Sequence, residues 1–232
     1  TENTTAYQLY LKGRFFVNQR KSESLLKAID YFNQAIALDS NYALGYAGLA
    51  DAYMVLGVPD AVTEALSPRE SLTKARAAAE KALEIDASVG EIYAALAHIK
   101  WKERDWGGAE SDYKRSIELN PKNPIAHFYY AVCLAGLGRK QQAIKEITQA
   151  QELDPLSLPV NASVVYVLYL CRQYDEAIKA GKKTLELDTR FSLTHQRLGL
   201  AYVQKKMYHE AIAEFQQAVN TSHRAPQPLV AL

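Results

Sequence analysis

The side chains in this chain that could do chemistry are five histidines, two cysteines and 26 acidic residues. Their spacing matches none of the common constellations. There is no glycine-rich phosphate loop, no H-E-x-x-H, no G-x-S-x-G and no EF-hand run. Cys133 and Cys171 lie in separate apolar stretches, with no C-x-x-C pair or metal-ligand spacing. They read as small buried hydrophobes, which suits a reducing compartment. Glu118, Glu152 and Glu186 recur at a 34-residue interval. A carboxylate repeated in this way serves structure or solvation rather than one acid–base pair. The sequons at Asn3, Asn161 and Asn220 are formal matches only. The expectation is a non-enzymatic chain with no catalytic residue, no metal and no cofactor.

Charge excludes two partner classes. Lys and Arg total 27 against 26 Asp and Glu, a net charge of +1. Nucleic acid and anionic membrane both require a concentrated positive surface. Lys182-Lys183 and Lys205-Lys206 are short pairs that read as solvated helix faces. No apolar run reaches a membrane span, since the best candidate covers only residues 164–171. With no signal-peptide pattern the expected location is the cytoplasm, and a start without Met reads as a fragment. Apolar residues make up 48% of the chain, with 15 Tyr and 6 Phe against 8 Pro and 11 Gly. That balance argues for a packed core and against disorder or a turn-rich β fold.

What positions side chains here is a repeat. Ala75, Ala109, Ala143, Ala177 and Ala211 share the same 34-residue interval, and so do Ile85, Leu119, Leu153 and Leu187. Asp86, Asn120, Asp154 and Asp188 keep it too. One period, 124–157, reads as helices over about 125–137 and 141–153, broken at Gly138-Arg139 and stopped at Asp154-Pro155. Pro121, Pro124, Pro155 and Pro159 separate the periods, because proline lacks an amide donor and disfavours helix in the residue before it. Neither helix can bury its apolar stripe alone, so hairpins must stack. The predicted architecture is all-α: a right-handed α-α superhelix of six helix-turn-helix repeats forming one domain over 1–232. The repeats fall at about 6–42, 43–89, 90–123, 124–157, 158–191 and 192–225, with a seventh starting at 226–232. An insertion over 57–70 interrupts the second.

These columns resemble the tetratricopeptide repeat. Its large, small, aromatic and proline positions are filled by Tyr46, Leu49, Ala50 and Tyr53 in the second repeat, and by Tyr93, Leu96, Ala97, Ala109, Tyr113 and Pro121 in the third. Tyr130, Ala131, Leu134, Ala143, Ala150 and Pro155 fill them in the fourth, and Leu198, Gly199, Tyr202, Ala211, Phe215 and Ala218 in the sixth. The first is looser, with Gly13, Phe16, Ala28, Phe32 and Ala35. His127, Asn161 and His195 occupy the family's fourth, large-residue column and so read as core. The fifth repeat has Gly181 and Thr184 where an aromatic and an alanine are usual, which makes it the softest expected.

In that family the first helix of each repeat lines a concave groove. The resemblance implies that Tyr10, Asp51, Met54, His98, Trp101, Phe128, Tyr129, Val132, Tyr166, Tyr169, Gln196 and Arg197 lie on or beside it. The implied partner is a protein or peptide with apolar or aromatic side chains. The helices around Phe128 and Tyr166 are apolar on both faces, whereas a surface helix shows one stripe. Either Trp101, Phe128, Tyr166 and Tyr169 receive a partner's side chains, or they pack between neighbouring first helices. The clamp some members use for a chaperone's terminal carboxylate is missing: Ala47, Asp51, Ala95, Ile125 and Tyr129 replace its basic and amide residues. Runs 6–16, 28–38 and 105–110 are similar to the C-terminal repeat region of bacterial multidomain regulators, where repeats follow a winged-helix, kinase or cyclase domain. The implied role is the interaction scaffold of such a protein. The alternatives are self-association as a homodimer, through the open end near Leu229 or the groove, and regulation of an enzyme whose catalytic part lies outside this sequence.

Overall fold

A computed structural model describes residues 4–57 and 66–222. Those residues form twelve α-helices and no strand. In chain order they are α1 (Thr4–Asn18), α2 (Ser22–Leu38), α3 (Ala43–Leu56), α4 (Pro68–Ile85), α5 (Gly90–Lys102), α6 (Trp106–Leu119), α7 (Pro124–Gly136), α8 (Lys140–Leu153), α9 (Leu158–Leu170), α10 (Tyr174–Leu187), α11 (Ser192–Gln204) and α12 (Tyr208–Thr221). The fold is all-α, and the helices fall into the six consecutive pairs that the repeat columns predict. The chain divides into two compact units, Thr1–Tyr129 and Tyr130–Leu232, with the division inside α7. Part of the 57–70 insertion, residues 58–65, lies outside the described residues, as does the expected seventh repeat at 226–232. The insertion's end is built: Pro68 opens α4, Ser67 Oγ accepts from the Glu70 amide, and the Glu70 carboxylate accepts from the Ser67 amide. This reciprocal pair satisfies two of the helix's free amides.

The turns inside the last four hairpins have a chemical period of their own. Arg104, Gly138, Arg172 and Lys206 all adopt positive φ, at 67°, 77°, 65° and 59°. In each case the following amide, of Asp105, Arg139, Gln173 or Met207, bonds back to the carbonyl five residues before it. This is the left-handed cap that ends a helix and reverses the chain. Glycine is the usual occupant because a side chain there is strained. Only one of these four turns has it.

The joints between repeats carry a second device. Asp39, Asp86, Asn120 and Asp188 end helices, and their side-chain oxygens accept from the amide two residues on at 3.0, 2.8, 3.3 and 2.8 Å. The fourth-column residues then reach back to this joint. The Tyr93 hydroxyl bonds the Ala87 carbonyl at 3.1 Å, His127 Nε2 the Pro121 carbonyl at 3.0 Å, Asn161 Nδ2 the Pro155 carbonyl at 2.8 Å and His195 Nε2 the Thr189 carbonyl at 2.9 Å. The column therefore needs a donor as well as bulk.

Small residues mark close approach. Phe32 is fully buried between α1 and α3, and a Cβ built on Gly13 or Gly48 would collide with its ring. Any larger residue at either position must displace the ring. At Gly181 the missing aromatic is answered from α11: a Cβ there would meet Leu198 at 3.0 Å. Thr184 is buried with its hydroxyl bonded to the Ala180 carbonyl.

Candidate functional site

The first helices of the first unit carry a buried polar cluster. Arg14 on α1 pairs with Asp51 on α3 at 2.7 Å. The Tyr129 hydroxyl on α7 donates to the other oxygen of Asp51 at 3.4 Å and accepts from Arg20 Nη1 at 3.3 Å. Arg20 also lies over the Phe128 ring, 5.9 Å from its centroid. His98 on α5 packs on the Tyr129 ring at 4.5 Å. Its Nδ1 is buried with no hydrogen-bond partner, and so is Arg20 Nε. Tyr10 sits against Phe32 and Tyr42, at 5.8 and 6.1 Å.

Electrostatics follow from this burial. Burial raises the Asp51 carboxyl, but the Arg14 and Arg20 guanidiniums more than offset it and hold it below the ordinary range. Burial pulls Arg14 down, and the carboxylate of Asp51 more than restores it, so its net shift is upward. His98 is pushed down to about 3 by burial and by Lys102, against the opposing pull of Asp51. Burial pushes Tyr10 and Tyr129 up to about 12. Around neutral pH the cluster therefore holds ionised Arg14 and Asp51 beside a neutral imidazole.

The first helices of the second unit carry something different. Tyr166 and Tyr169 of α9 stack at 6.2 Å with an interplanar angle of 16°, and Tyr174 at the start of α10 continues the row at 6.1 Å from Tyr169. The Arg197 guanidinium on α11 lies 5.1 Å from the Tyr166 centroid and donates to Ser163 Oγ at 3.1 Å. These three tyrosines and Arg197 are half-buried.

The residues expected along the groove thus have different fates. Asp51, Met54, His98 and Phe128 are buried. Tyr10, Trp101, Tyr129, Val132, Tyr166, Tyr169, Gln196 and Arg197 are half-buried. Asp51, His98, Phe128 and Tyr129 meet in one cluster, and Tyr166, Tyr169 and Arg197 in another. Trp101 pairs instead with Trp106 at the start of α6, at 4.5 Å. Met54 lines a cavity of about 270 Å³ with Tyr53, Gly57, Pro68, Arg69, Leu72 and Lys102. Sequence reasoning did not single out Arg14 and Arg20. Arg14 was within reach, because it shares a column with Asp51 one repeat on and carries the opposite charge. Arg20 lies beyond the end of α1, where no column points to Tyr129.

His195 is the other ionisable group with a defined environment. Its Nε2 faces the Thr189 carbonyl and its Nδ1 faces the Glu214 carboxylate at 2.6 Å. Both partners are acceptors, so the ring is best satisfied with a proton on each nitrogen. The hydrogen bond to Glu214 raises its pKa against the cost of burial. Among the described residues no three His, Cys, Asp or Glu side chains gather as a metal would require. No described helix is long and apolar enough to cross a membrane.

Paired helices on a 34-residue period, with small residues at the crossings, define a helical repeat protein. Residues 94–157 and 194–222 match models of the tetratricopeptide repeat, so the chain carries tetratricopeptide repeats. Such repeats generally mediate protein–protein interaction, and the fold is typically non-catalytic. The transcriptional regulator HilA of Salmonella typhimurium is 21% identical over 213 residues, covering 92% of this chain and 38% of that protein. Hsp70-Hsp90 organizing protein 2 of Arabidopsis thaliana is 31% identical over 134 residues, covering 55% of this chain and 23% of that protein. The chain spans well under half the length of either relative. Among solved structures, a chain of the APC/C hetero-tetramer Cut9-Hcn1 matches with a TM-score of 0.65 at 18% identity, covering 95% of this chain and 44% of that one. That likeness concerns the fold alone.

Proposed function

We propose that this chain is a non-catalytic interaction module whose second unit binds a peptide or helix carrying apolar or aromatic side chains. The observation that supports this reading is the half-buried row of Tyr166, Tyr169 and Tyr174, with Arg197 beside it. Tyrosine and arginine are over-represented where binding energy concentrates, since they offer large contact area at little cost in rotamer freedom. Val132 and Gln196 flank the row as secondary contacts. In the first unit the equivalent columns are filled by their own charges, and Trp101 is the residue there placed to meet a partner. The near-zero net charge favours protein over nucleic acid or membrane as the partner. Similarity to a transcriptional regulator over 92% of the chain fits a place within a larger bacterial regulatory protein, acting in the cytoplasm.

The test uses a peptide chosen from a displayed library of aromatic and aliphatic sequences for binding to the intact chain. Replacing Tyr166 and Tyr169 together by alanine should weaken its affinity by ~30-fold or more, the cost of truncating a hot spot, with the melting transition little changed. Unchanged affinity would sink the reading.

A further inference from the structure

Resting on the reading above that the tyrosine row is a contact surface, we infer that its partner is a peptide with a run of carboxylates beside its apolar residues, and that Lys140, Arg172 and Lys206 receive those carboxylates. The row has a direction. It begins at Tyr166 within α9 and ends at Tyr174, the first residue of α10, two residues beyond Arg172. It therefore leads toward the edge of the second unit that carries the hairpin turns.

Charge is sorted along this unit although the whole chain is near neutral. The hairpin turns 136–140, 171–173 and 205–207 hold five cations and no carboxylate, whereas the joints 152–157 and 186–191 hold four carboxylates and one cation. Consecutive hairpins meet at these turns: Cys171 Sγ donates to the Lys140 carbonyl at 3.9 Å, and Lys205 Nζ reaches Asp175 at 2.8 Å. The cations of three repeats thus share one edge. Lys140, Arg172 and Lys206 are exposed there, and among the described residues none of the three has an ion-pair partner. Lys205 is taken by Asp175. Asp175, Glu176 and Glu210 stand in the first turns of α10 and α12, where a carboxylate complements the helix dipole. No Asp or Glu occurs in 215–232, so the chain after α12 brings no carboxylate side chain to this edge.

Local structure accounts for only part of this. Arg172 and Lys206 take the left-handed turn position, at φ 65° and 59°, where glycine is less strained. A cation just past a helix C-terminus does gain from the dipole, which is a local reason for charge at those two positions. Lys140 has no such reason. It opens α8, where a cation opposes the dipole, and α8 has no acidic residue in its first turn to offset it. Three unpaired cations, one per repeat, at the end of an aromatic row match a segment whose apolar side chains lie on the tyrosines and whose carboxylates reach the turns. Three cations are a short track for a polynucleotide, whose binding rests on many phosphate contacts.

Fluorescence anisotropy of the intact chain tests it, using the library-selected peptide resynthesised with a tail of Glu, Ser or Lys residues at one end and then at the other. At low salt the Glu tail at one end should tighten binding roughly tenfold over the Ser tail, the gain expected of a few exposed ion pairs, and the Lys tail should weaken it. The gain should disappear at high salt, where the screening length falls to about 3 Å. It should also disappear when Lys140, Arg172 and Lys206 are all replaced by serine, while that variant binds the Ser-tailed peptide like wild type. A Glu tail that brings no gain at either end, or a gain that survives in the triple variant, would overturn the inference and leave the row in place. An oligothymidine strand bound more tightly than the Glu-tailed peptide would also overturn it. Replacing Tyr166 and Tyr169 by alanine separates the two readings: if every peptide then binds as before, the row itself fails, and the carboxylate assignment with it.

Discussion

The two units use the same columns of their first helices for opposite ends. In the first, the inward column holds Arg14, Asp51 and His98; Arg14 pairs with Asp51, which Tyr129 and Arg20 join, while His98 Nδ1 stays without a hydrogen-bond partner. In the second, the same column holds Val132, Tyr166 and Leu200, and the aromatic rings stay half-buried. Repeat register therefore says which residues point inward, but not whether the face is open. That depends on whether successive repeats place complementary charges in one column. Where they do, the charges pair with one another; where they place rings, the rings stay half-buried, and that is the face we propose a partner uses.

The sharpest way to break this comparison is to remove one charge from the first cluster. The side chains of Arg14 and Asp51 are only 19% and 11% exposed. Asp51→Ala leaves two guanidiniums without their carboxylate and should cost ~3–5 kcal/mol in a denaturant titration. A loss no larger than that of a surface substitution would mean the cluster is not a structural seal.

The units should also respond to pH in opposite senses. His98 has its folded pKa pushed from the ordinary 6.5 down to about 3, so the fold prefers the neutral ring. The stability it lends is present above its unfolded value and is lost as pH falls toward the folded one, with a slope of up to ~1.4 kcal/mol per pH unit. Asp51, held low, acts in the same direction. His195 is shifted upward, so its contribution is full below the unfolded value and is lost as pH rises through the folded one. Denaturation midpoints measured across pH should show both limbs. His98→Asn should flatten the acid limb and His195→Asn the alkaline one. The second substitution keeps a donor where Asn161 already serves in the fifth repeat.

Smaller effects come from the turns and from the half-buried cation. Gly138→Ala places a side chain at φ 77° and should destabilise by ~1 kcal/mol, whereas Arg172→Gly should stabilise by a similar amount. Arg197→Ala removes the stack on Tyr166 and should cost ~0.5–1 kcal/mol, far less than Asp51→Ala. Comparable losses from the two would erase the distinction between closed and open faces.

Much of the fold was legible in the residues. The alanine and leucine columns placed the second to sixth hairpins, the looser first one following from its resemblance to the repeat, and the helix breaks at Gly138 and Asp154 lie where the chain turns. The turn column was harder to see, because Arg104, Arg172 and Lys206 give no sign of a left-handed conformation; only their shared register with Gly138 does. The fourth column looked like a demand for bulk, and its shared donor role emerges only once the carbonyl of the preceding joint is in place. At the site, Tyr166 and Tyr169 were legible because the register put both on one face. The fate of Phe128 was not, since Arg20, which lies over its ring, comes from the end of α1, three repeats earlier in the chain.

The central claim, that the second unit offers the open face and the first has closed its own, is tested most directly by amide hydrogen exchange with and without a bound library-selected peptide. Slowed exchange confined to α9, the start of α10 and α11, with α1 and α3 unchanged, is the result expected. Protection centred on α1, α3 and α5, with α9 and α11 unaffected, would contradict it.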